Sequence, residues 1–279
     1  MSAPDVLTER SARIVSYAKL HRSAGRRKAA AFLAEGANSV AAALQSRRAR
    51  VLLATDDAHL RHADLIDDAQ RIGIEVCAIT EGAASKLADT VTSTGLFVIA
   101  DLVDVPLVDV LATSPRLLAV PVEMTDPGNA GTLIRTADAM GADAVVLAGD
   151  SVDPHNGKCV RSTAGSVFHI PIARERDIDV VLAELRAGGV AICATSGNAE
   201  LSLPEAGHVL SGPTAWLFGN EAHGLPEDIL GRADHRISIP IRGRAESLNL
   251  AAAAAICLYA SADAHSGVDY PRTGSSPTP

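Results

Sequence analysis

Short apolar runs, most of them unbroken by polar residues, alternate with stretches of helical period along the whole chain, and that alternation dictates an α/β architecture. In the first third the runs are Val51 to Ala54, Ile74 to Ile79 and Leu96 to Ala100, with a helix-like stretch from Asp57 to Ile72 between two of them. A second series begins at Leu117, and Leu117 to Val122, Ala144 to Leu147, Phe168 to Ile172, Val190 to Ala194, Ala215 to Phe218 and Ile237 to Ile241 predict short strands. Unbroken runs of this kind suit a parallel sheet covered by helices on both faces. Between the two series, Val105 to Pro115 mixes Pro, Ser and Thr and reads as a connector. This divides the chain into a domain over residues 1–110 and a second over 111–264. A last helix is expected from near Glu246 through the alanine-rich stretch Leu248 to Ala262. Residues 265–279, rich in Gly, Ser, Pro and Thr, are expected to be disordered.

At 279 residues each domain can bury a core without disulfide or metal staples, and with 3% aromatic residues that core is aliphatic. Cys77, Cys159, Cys193 and Cys257 sit far apart in or beside apolar runs, so neither a metal site nor a redox pair is written in their spacing. The first residues lack a basic stretch followed by an apolar one, and no apolar run is long enough to span a bilayer, which places the protein in the cytoplasm. Its 25 Lys and Arg against 33 Asp and Glu give a net charge of −8. Bulk charge therefore excludes general polyanion binding, and any nucleic-acid partner has to meet a local basic patch. The N-terminal arm offers one in Arg10, Arg13, Lys19, Arg22, Arg26, Arg27 and Lys28, against Asp5 and Glu9. A solubilising helix accounts for these charges equally well.

Three segments, each directly after a predicted strand, carry residues suited to ligand chemistry. The first runs from Asp126 to Ala137 as DPGNAGTLIRTA. Asn129 is a plausible N-cap there, and Gly131 inside a helix, at a cost of about 1 kcal/mol, is explained if it clears a path for Arg135 to the strand ends. In the second, Leu217 to Leu225, two glycines allow close backbone approach, Glu221 could orient a hydroxyl or cation, and His223 reads as solvated. The third, Ile239 to Leu250, leads into the alanine-rich helix with Ser247 and Asn249 near its start, where Ser247 alone would serve as a cap. Ligands of α/β sheets bind outside the carboxyl ends of strands, so three such loops together outweigh the bland reading of each. Gly-x-Gly-x-x-Gly, Walker A and Gly-x-Ser-x-Gly patterns are missing, which removes support for dinucleotide, NTP and serine-hydrolase readings. His59 and His62 lie in a polar helical stretch with no third ligand at metal spacing, so no metal is expected.

Taken together, Asn129-x-Gly131-Thr132-x-x-Arg135-Thr136-Ala137, then Gly219-Asn220-Glu221-x-x-Gly224-Leu225, then Ile239-Pro240-Ile241 with Ser247-Leu248-Asn249, resemble the three ordered motifs of the SpoU/TrmH RNA 2′-O-ribose methyltransferases of the SPOUT superfamily. The match spans roughly residues 117 to 262, and Phe32 to Gly36 resembles the opening of the ribosomal-protein-like α/β substrate domain that many members carry. The resemblance implies a C-terminal parallel sheet with a deep trefoil knot, S-adenosylmethionine bound in it, no metal, and a homodimer that completes the active site between subunits. It implies Thr195, Gly197, Leu217, Gly219, Ile239 and Leu248 as cofactor contacts. Asn129, Arg135, Glu221, Ser247 and Asn249 become the catalytic set; the basic arm, through Arg22, Arg26, Arg27 and Lys28, is expected on its charge to contact the RNA. Arg135's counterpart is proposed as a base in the family. Arginine holds its proton above pH 12, so the reading preferred here has Arg135 binding the adjacent phosphate and stabilising the developing alkoxide. Ribosomal RNA stands ahead of transfer RNA as substrate, and a non-catalytic knotted RNA- or nucleotide-binding module is the rival from another class.

Overall fold

The structure is a computed structural model and describes residues 6–197, 199–220 and 223–266. Two sheets carry it. The first holds β1 (Ala31–Glu35), β2 (Ala49–Ala54), β3 (Glu75–Ala78) and β4 (Leu96–Asp101) in the order β1-β4-β2-β3, with β4 antiparallel to both neighbours. The second holds β5 (Asp104–Val105), β6 (Leu117–Pro121), β7 (Ala144–Ala148), β8 (Ile172–Glu175), β9 (Ala191–Thr195), β10 (Leu201–Ser202), β11 (Thr214–Phe218) and β12 (His235–Ser238). Its order is β10-β12-β9-β11-β6-β7-β8-β5 and every adjacent pair is parallel. All carboxyl ends therefore lie on one edge.

Residues alternate between the faces of this sheet with period two. Leu117, Ala119, Val145, Trp216 and Phe218 point into one core cluster, while Leu118, Val120, Val146, Ala215 and Leu217 point into the other. The first cluster continues without a break into Phe32, Val40, Leu52 and Val98 of the N-terminal unit, so apolar packing joins the two units.

Several expectations are corrected. The supposed connector is structured: β5 pairs with β8, and the helix Leu107–Ala112 buries Leu107 and Val110 against the large sheet. Prolines and serines flanking that short apolar helix masked it. The run from Phe168 begins as a 3-10 turn, Ser166–Phe168, and extended pairing starts only at Ile172. Here Gly165 adopts φ +105°, and a Cβ on it would lie 3.1 Å from the Asn38 carbonyl oxygen of the N-terminal unit. β12 ends before Pro240, whose missing N–H cannot join a ladder. The last helix runs Leu250–Ser266, later at its start than expected and longer at its end. His265 is buried in it with Nε2 3.1 Å from the Gly212 carbonyl oxygen, so the expected disordered tail does not begin at 265; residues 267–279 lie outside the described residues.

Arg26 is the largest correction to the basic arm. It occupies the inner face of the helix Ser23–Ala29 at 4% exposure, donating from Nη2 and Nε to Asp153 Oδ2 at 2.6 and 3.0 Å and from Nη1 to the Leu20 and His21 carbonyls. Burial pushes the Asp153 carboxyl up, but hydrogen bonds from His155 and Arg26 outweigh that and hold it well below the usual carboxylate range. His155, its ring tilted against that of Phe32 at 4.8 Å between centroids, accepts the Val103 N–H at Nε2, which leaves the proton on Nδ1 facing Asp153. Arg26 therefore ties the two units together and is unavailable to RNA. Arg22, Arg27 and Lys28 remain exposed. Among the described residues no helix is long and apolar enough to cross a membrane.

Candidate active site

The loops that follow β6, β9, β11 and β12 wall a cavity of about 630 Å³ at the carboxyl edge of the large sheet. That is within the range of small-molecule sites, about 300 to 1,000 Å³. Asn129, Thr195, Gly197, Gly219, Ile239, Ser247, Leu248 and Asn249, named from sequence, all line it.

The helix Pro127–Ala139 enters this edge with Asp126, not Asn129, as its N-cap: Asp126 Oδ1 accepts the Asn129 N–H at 2.8 Å, and Pro127 fills the first helical position. Lys158 Nζ donates to the other carboxylate oxygen at 2.9 Å, and this bond leads the causes that lower the Asp126 carboxyl's pKa. Relieved of capping, the Asn129 side chain accepts at Oδ1 from Asn249 Nδ2, 3.2 Å away. Asn249 Oδ1 in turn accepts from the N–H groups of Ala251 and Ala252 at 2.9 and 3.4 Å. Asn249 is thus the cap of the last helix, a place Ser247 would take only if read in isolation, and it cross-links the first and third motifs. Sequence spacing could not reveal this bridge, because its partners are 120 residues apart.

Behind the cavity, Thr195 Oγ1 donates to the Leu217 carbonyl at 3.2 Å and joins β9 to β11. The Leu217 side chain is fully buried in the core and does not line the cavity, so any contact it makes there is through its backbone. Gly219 sits where the chain folds back on itself. Asn220 and Gly224 exchange backbone hydrogen bonds at 3.0 and 2.8 Å, and Asn220 Nδ2 donates to the Glu123 carbonyl at 2.8 Å. Asn220, a motif residue to which the sequence assigned no role, thereby fastens the second motif to the loop after β6. Glu221 lies outside the described residues. His223 is exposed.

Gly131 has a different purpose from the one expected. A Cβ there would fall 2.3 Å from the Cys159 carbonyl oxygen and 2.6 Å from Ser162 Cβ, so glycine permits the helix Gly157–Thr163 to lie directly on Pro127–Ala139. Overpacking of this order costs about 1 to 3 kcal/mol. Gly131→Ala is expected to lower Tm by about 3 to 10 °C in a thermal melt; an unchanged melting curve would refute this packing role. Arg135, six residues beyond Asn129 and about 9 Å along the helix axis, is exposed and does not line the cavity of its own chain. This corrects the expectation that it reaches the strand ends over Gly131.

The walls fit a nucleoside-type cofactor. Ile237, Ile239, Leu248 and Leu250 offer apolar surface for a base, the glycine-bearing turns expose backbone donors and acceptors, and nothing lies within 4 Å of where a Cβ on Gly197 would stand. Among the described residues no group of His, Cys, Asp or Glu could hold a metal ion. Burial pushes the Cys159 and Cys193 thiols up to about 12, which makes neither a nucleophile.

A parallel sheet with three such loops around one cavity, joined to a smaller α/β unit, defines an α/β protein that takes its ligand at the carboxyl edge of the large sheet. Residues 116–259 match the SpoU rRNA methylase family and residues 11–98 an MRM3-like substrate binding domain. The chain belongs to the SpoU rRNA methylase family. It is 36% identical over 251 residues to the 23S rRNA (guanosine(2553)-2′-O)-methyltransferase RlmP of Bacillus subtilis, covering 88% of this chain and 94% of that one. An AdoMet-bound rRNA methyltransferase from Sinorhizobium meliloti superposes with TM-score 0.78 at 30% identity, covering 92% of this chain and 97% of that one. The SpoU methyltransferase AviRb of Streptomyces viridochromogenes, in complex with AdoMet, superposes with TM-score 0.78 at 27% identity, covering 92% and 100%.

Proposed function

We propose that the protein transfers a methyl group from S-adenosylmethionine to a ribose 2′-hydroxyl of structured RNA in the cytoplasm, with 23S ribosomal RNA ahead of transfer RNA as substrate. The observation that carries this reading is the Asn129–Asn249 bridge across a cavity whose other walls are the cofactor-motif residues. When bound, the cofactor supplies an electrophilic methyl on a sulfonium. The residues of the chain do the rest: Ile239 and Leu248 exclude water, the turns at Gly197 and Gly219 offer backbone groups, and Asn129, Ser247 and Asn249 orient the attacking hydroxyl. Positioning of this kind can lower a barrier by about 7 to 11 kcal/mol.

Arg135 completes the site from a second copy of the chain, where its guanidinium grips the phosphate beside the target ribose. Supporting the homodimer, Ala252, Ile256 and Tyr259 form an apolar stripe at i, i+4 and i+7 on the last helix, with Ile256 39% and Tyr259 62% exposed. This helix packs against Pro127–Ala139, the element that carries Arg135. The trefoil knot belongs to the same reading, as does a division of the chain into a substrate unit ending near residue 103 and a catalytic unit from β5 onward.

Calorimetry with S-adenosylmethionine, followed by mapping of blocked 2′-hydroxyls on 23S rRNA and tRNA incubated with protein and cofactor, tests the proposal. One new blocked position on 23S rRNA is expected. Absence of cofactor binding, or cofactor binding without methylation of either RNA, would sink it.

A further inference from the structure

A second cleft, of about 800 Å³, opens on the same carboxyl edge of the large sheet, at the ends of β7 and β8 where the N-terminal unit meets them. Three guanidinium-bearing side chains line it, Arg27 from the helix Ser23–Ala29 and Arg174 and Arg176 from the end of β8, against the carboxylates of Asp104 and Glu175. On a chain of net charge −8 this is a local reversal of sign.

The arginines are weakly committed. Arg27 Nη1 donates to the Ser23 hydroxyl and, among the described residues, meets no carboxylate. Arg174 stands 3.7 and 4.0 Å from Asp153 and Asp104, beyond good hydrogen-bond length, and Asp153 is already neutralised by Arg26. Arg176 is 3.5 Å from Asp150, with both side chains more than four-fifths exposed, a pairing worth little in water. Glu175 is occupied in part by the Asp177 N–H. Basic surface continues beyond the far end of the same helix. Arg47 and Arg48 stand exposed there, while Arg50 beside them is committed to Asp101 at 2.6 Å and to the Ala29 and Ala30 carbonyls.

Geometry links this cleft to the cavity. β11, β6, β7 and β8 are successive neighbours, so at strand spacing the two openings lie about 14 Å apart along one edge. A nucleic-acid strand with one ribose in the cavity would carry its backbone across that edge within a few nucleotides. Planar guanidinium forks match the oxygens of a phosphate bidentately. We propose that Arg27, Arg174 and Arg176 form a phosphate-binding cleft that holds the substrate RNA backbone a few nucleotides from the methylated ribose, built jointly by the two units. The proposal rests on the RNA methyltransferase reading for the identity of its ligand. It also gives the Arg26–Asp153 tie a purpose, since that ion pair fixes Arg27 opposite Arg174.

Affinity of the full-length protein for a 23S rRNA transcript, measured across a salt series, tests it. Two double variants are compared with wild type: Arg174→Glu with Arg176→Glu, and Arg27→Glu with Arg176→Glu, the second touching no buried group. Arg61→Glu with Arg71→Glu, whose carboxylate partners Asp57 and Asp68 lie in their own helices, is the charge-matched control. Removing one arginine–phosphate pair is expected to reduce the slope of log K against log salt by about 0.7 to 0.9. Both doubles should therefore bind at least severalfold more weakly at low salt, with a shallower slope than the control and unaltered calorimetric affinity for S-adenosylmethionine. Unchanged affinity and slope in both doubles would overturn the cleft, as would failure of the wild type to bind the transcript. Failure of cofactor binding or methyl transfer by the wild type would instead strike the functional reading, since RNA affinity is read independently.

Discussion

Arg135→Ala should bind S-adenosylmethionine as wild type does and lose methyl transfer by about 10²- to 10³-fold, the usual consequence of removing a preorganised charge-stabilising donor. Cofactor affinity is spared because Arg135 lies outside the cavity of its own chain, on the exposed face of Pro127–Ala139. Arg135→Lys should recover little, because an ammonium cannot reproduce the two-pronged grip of a guanidinium on phosphate. A subunit-mixing experiment separates contribution from a second copy from action within one chain. Arg135→Ala and Asn249→Ala chains, each inactive alone, should regain about a quarter of wild-type activity when co-assembled, because half the dimers then contain one intact site. Near-wild-type turnover by Arg135→Lys at neutral pH would refute the need for the fork; no recovery on mixing would confine the residue to its own chain.

Gly219→Ala is expected to abolish measurable cofactor binding or weaken it at least about tenfold, through backbone rather than side-chain chemistry. A Cβ there would stand 2.1 Å from the Gly224 carbonyl carbon, 2.2 Å from the Leu225 nitrogen and 2.5 Å from the Gly224 oxygen. All three are main-chain atoms, so relief requires the turn to open and the reciprocal Asn220–Gly224 hydrogen bonds to break. Opening the turn also moves Asn220 away from the Glu123 carbonyl, which loosens the second motif from the first. Gly197→Ala makes the matched comparison, since open space surrounds its missing Cβ and Tm should hardly move. Equal cofactor affinity for Gly219→Ala and wild type by calorimetry would contradict this account.

The strands were the most legible part of the chain. Unbroken runs such as Leu117 to Val122 and Ala215 to Phe218 recur as β6 and β11, because burial on both faces leaves no room for polar residues. Helix boundaries were less so. Ser247 and Asn249 are both good caps, and the choice fell to Asn249 because its amide also reaches Asn129. Asp126 displaced Asn129 as the cap of Pro127–Ala139 by the same logic, its second carboxylate oxygen meeting Lys158 of another helix. The short strands β5 and β10, two residues each, carry too little pattern to be seen in sequence.

Charge was the least legible. Arg22, Arg26, Arg27 and Lys28 look alike in sequence, yet Arg26 is buried against Asp153 while its neighbour Arg27 faces an open cleft. One helical step of about 100° separates a structural ion pair from a candidate phosphate ligand. Arg174 and Arg176 belong to no motif in the sequence, and only their position across from Arg27 makes them a group.

Amino-acid order alone determined the α/β class, the positions of most strands, and the three loops that carry chemistry, since these follow from local periodicity and from residue types needed at strand ends. Tertiary structure alone decided which asparagine caps a helix, which arginine is buried, why Gly131 is glycine, and that Arg135 stands outside its own cavity. Those outcomes depend on distances between segments up to 127 residues apart, set by how two sheets and their helices pack, and no local pattern encodes such a distance.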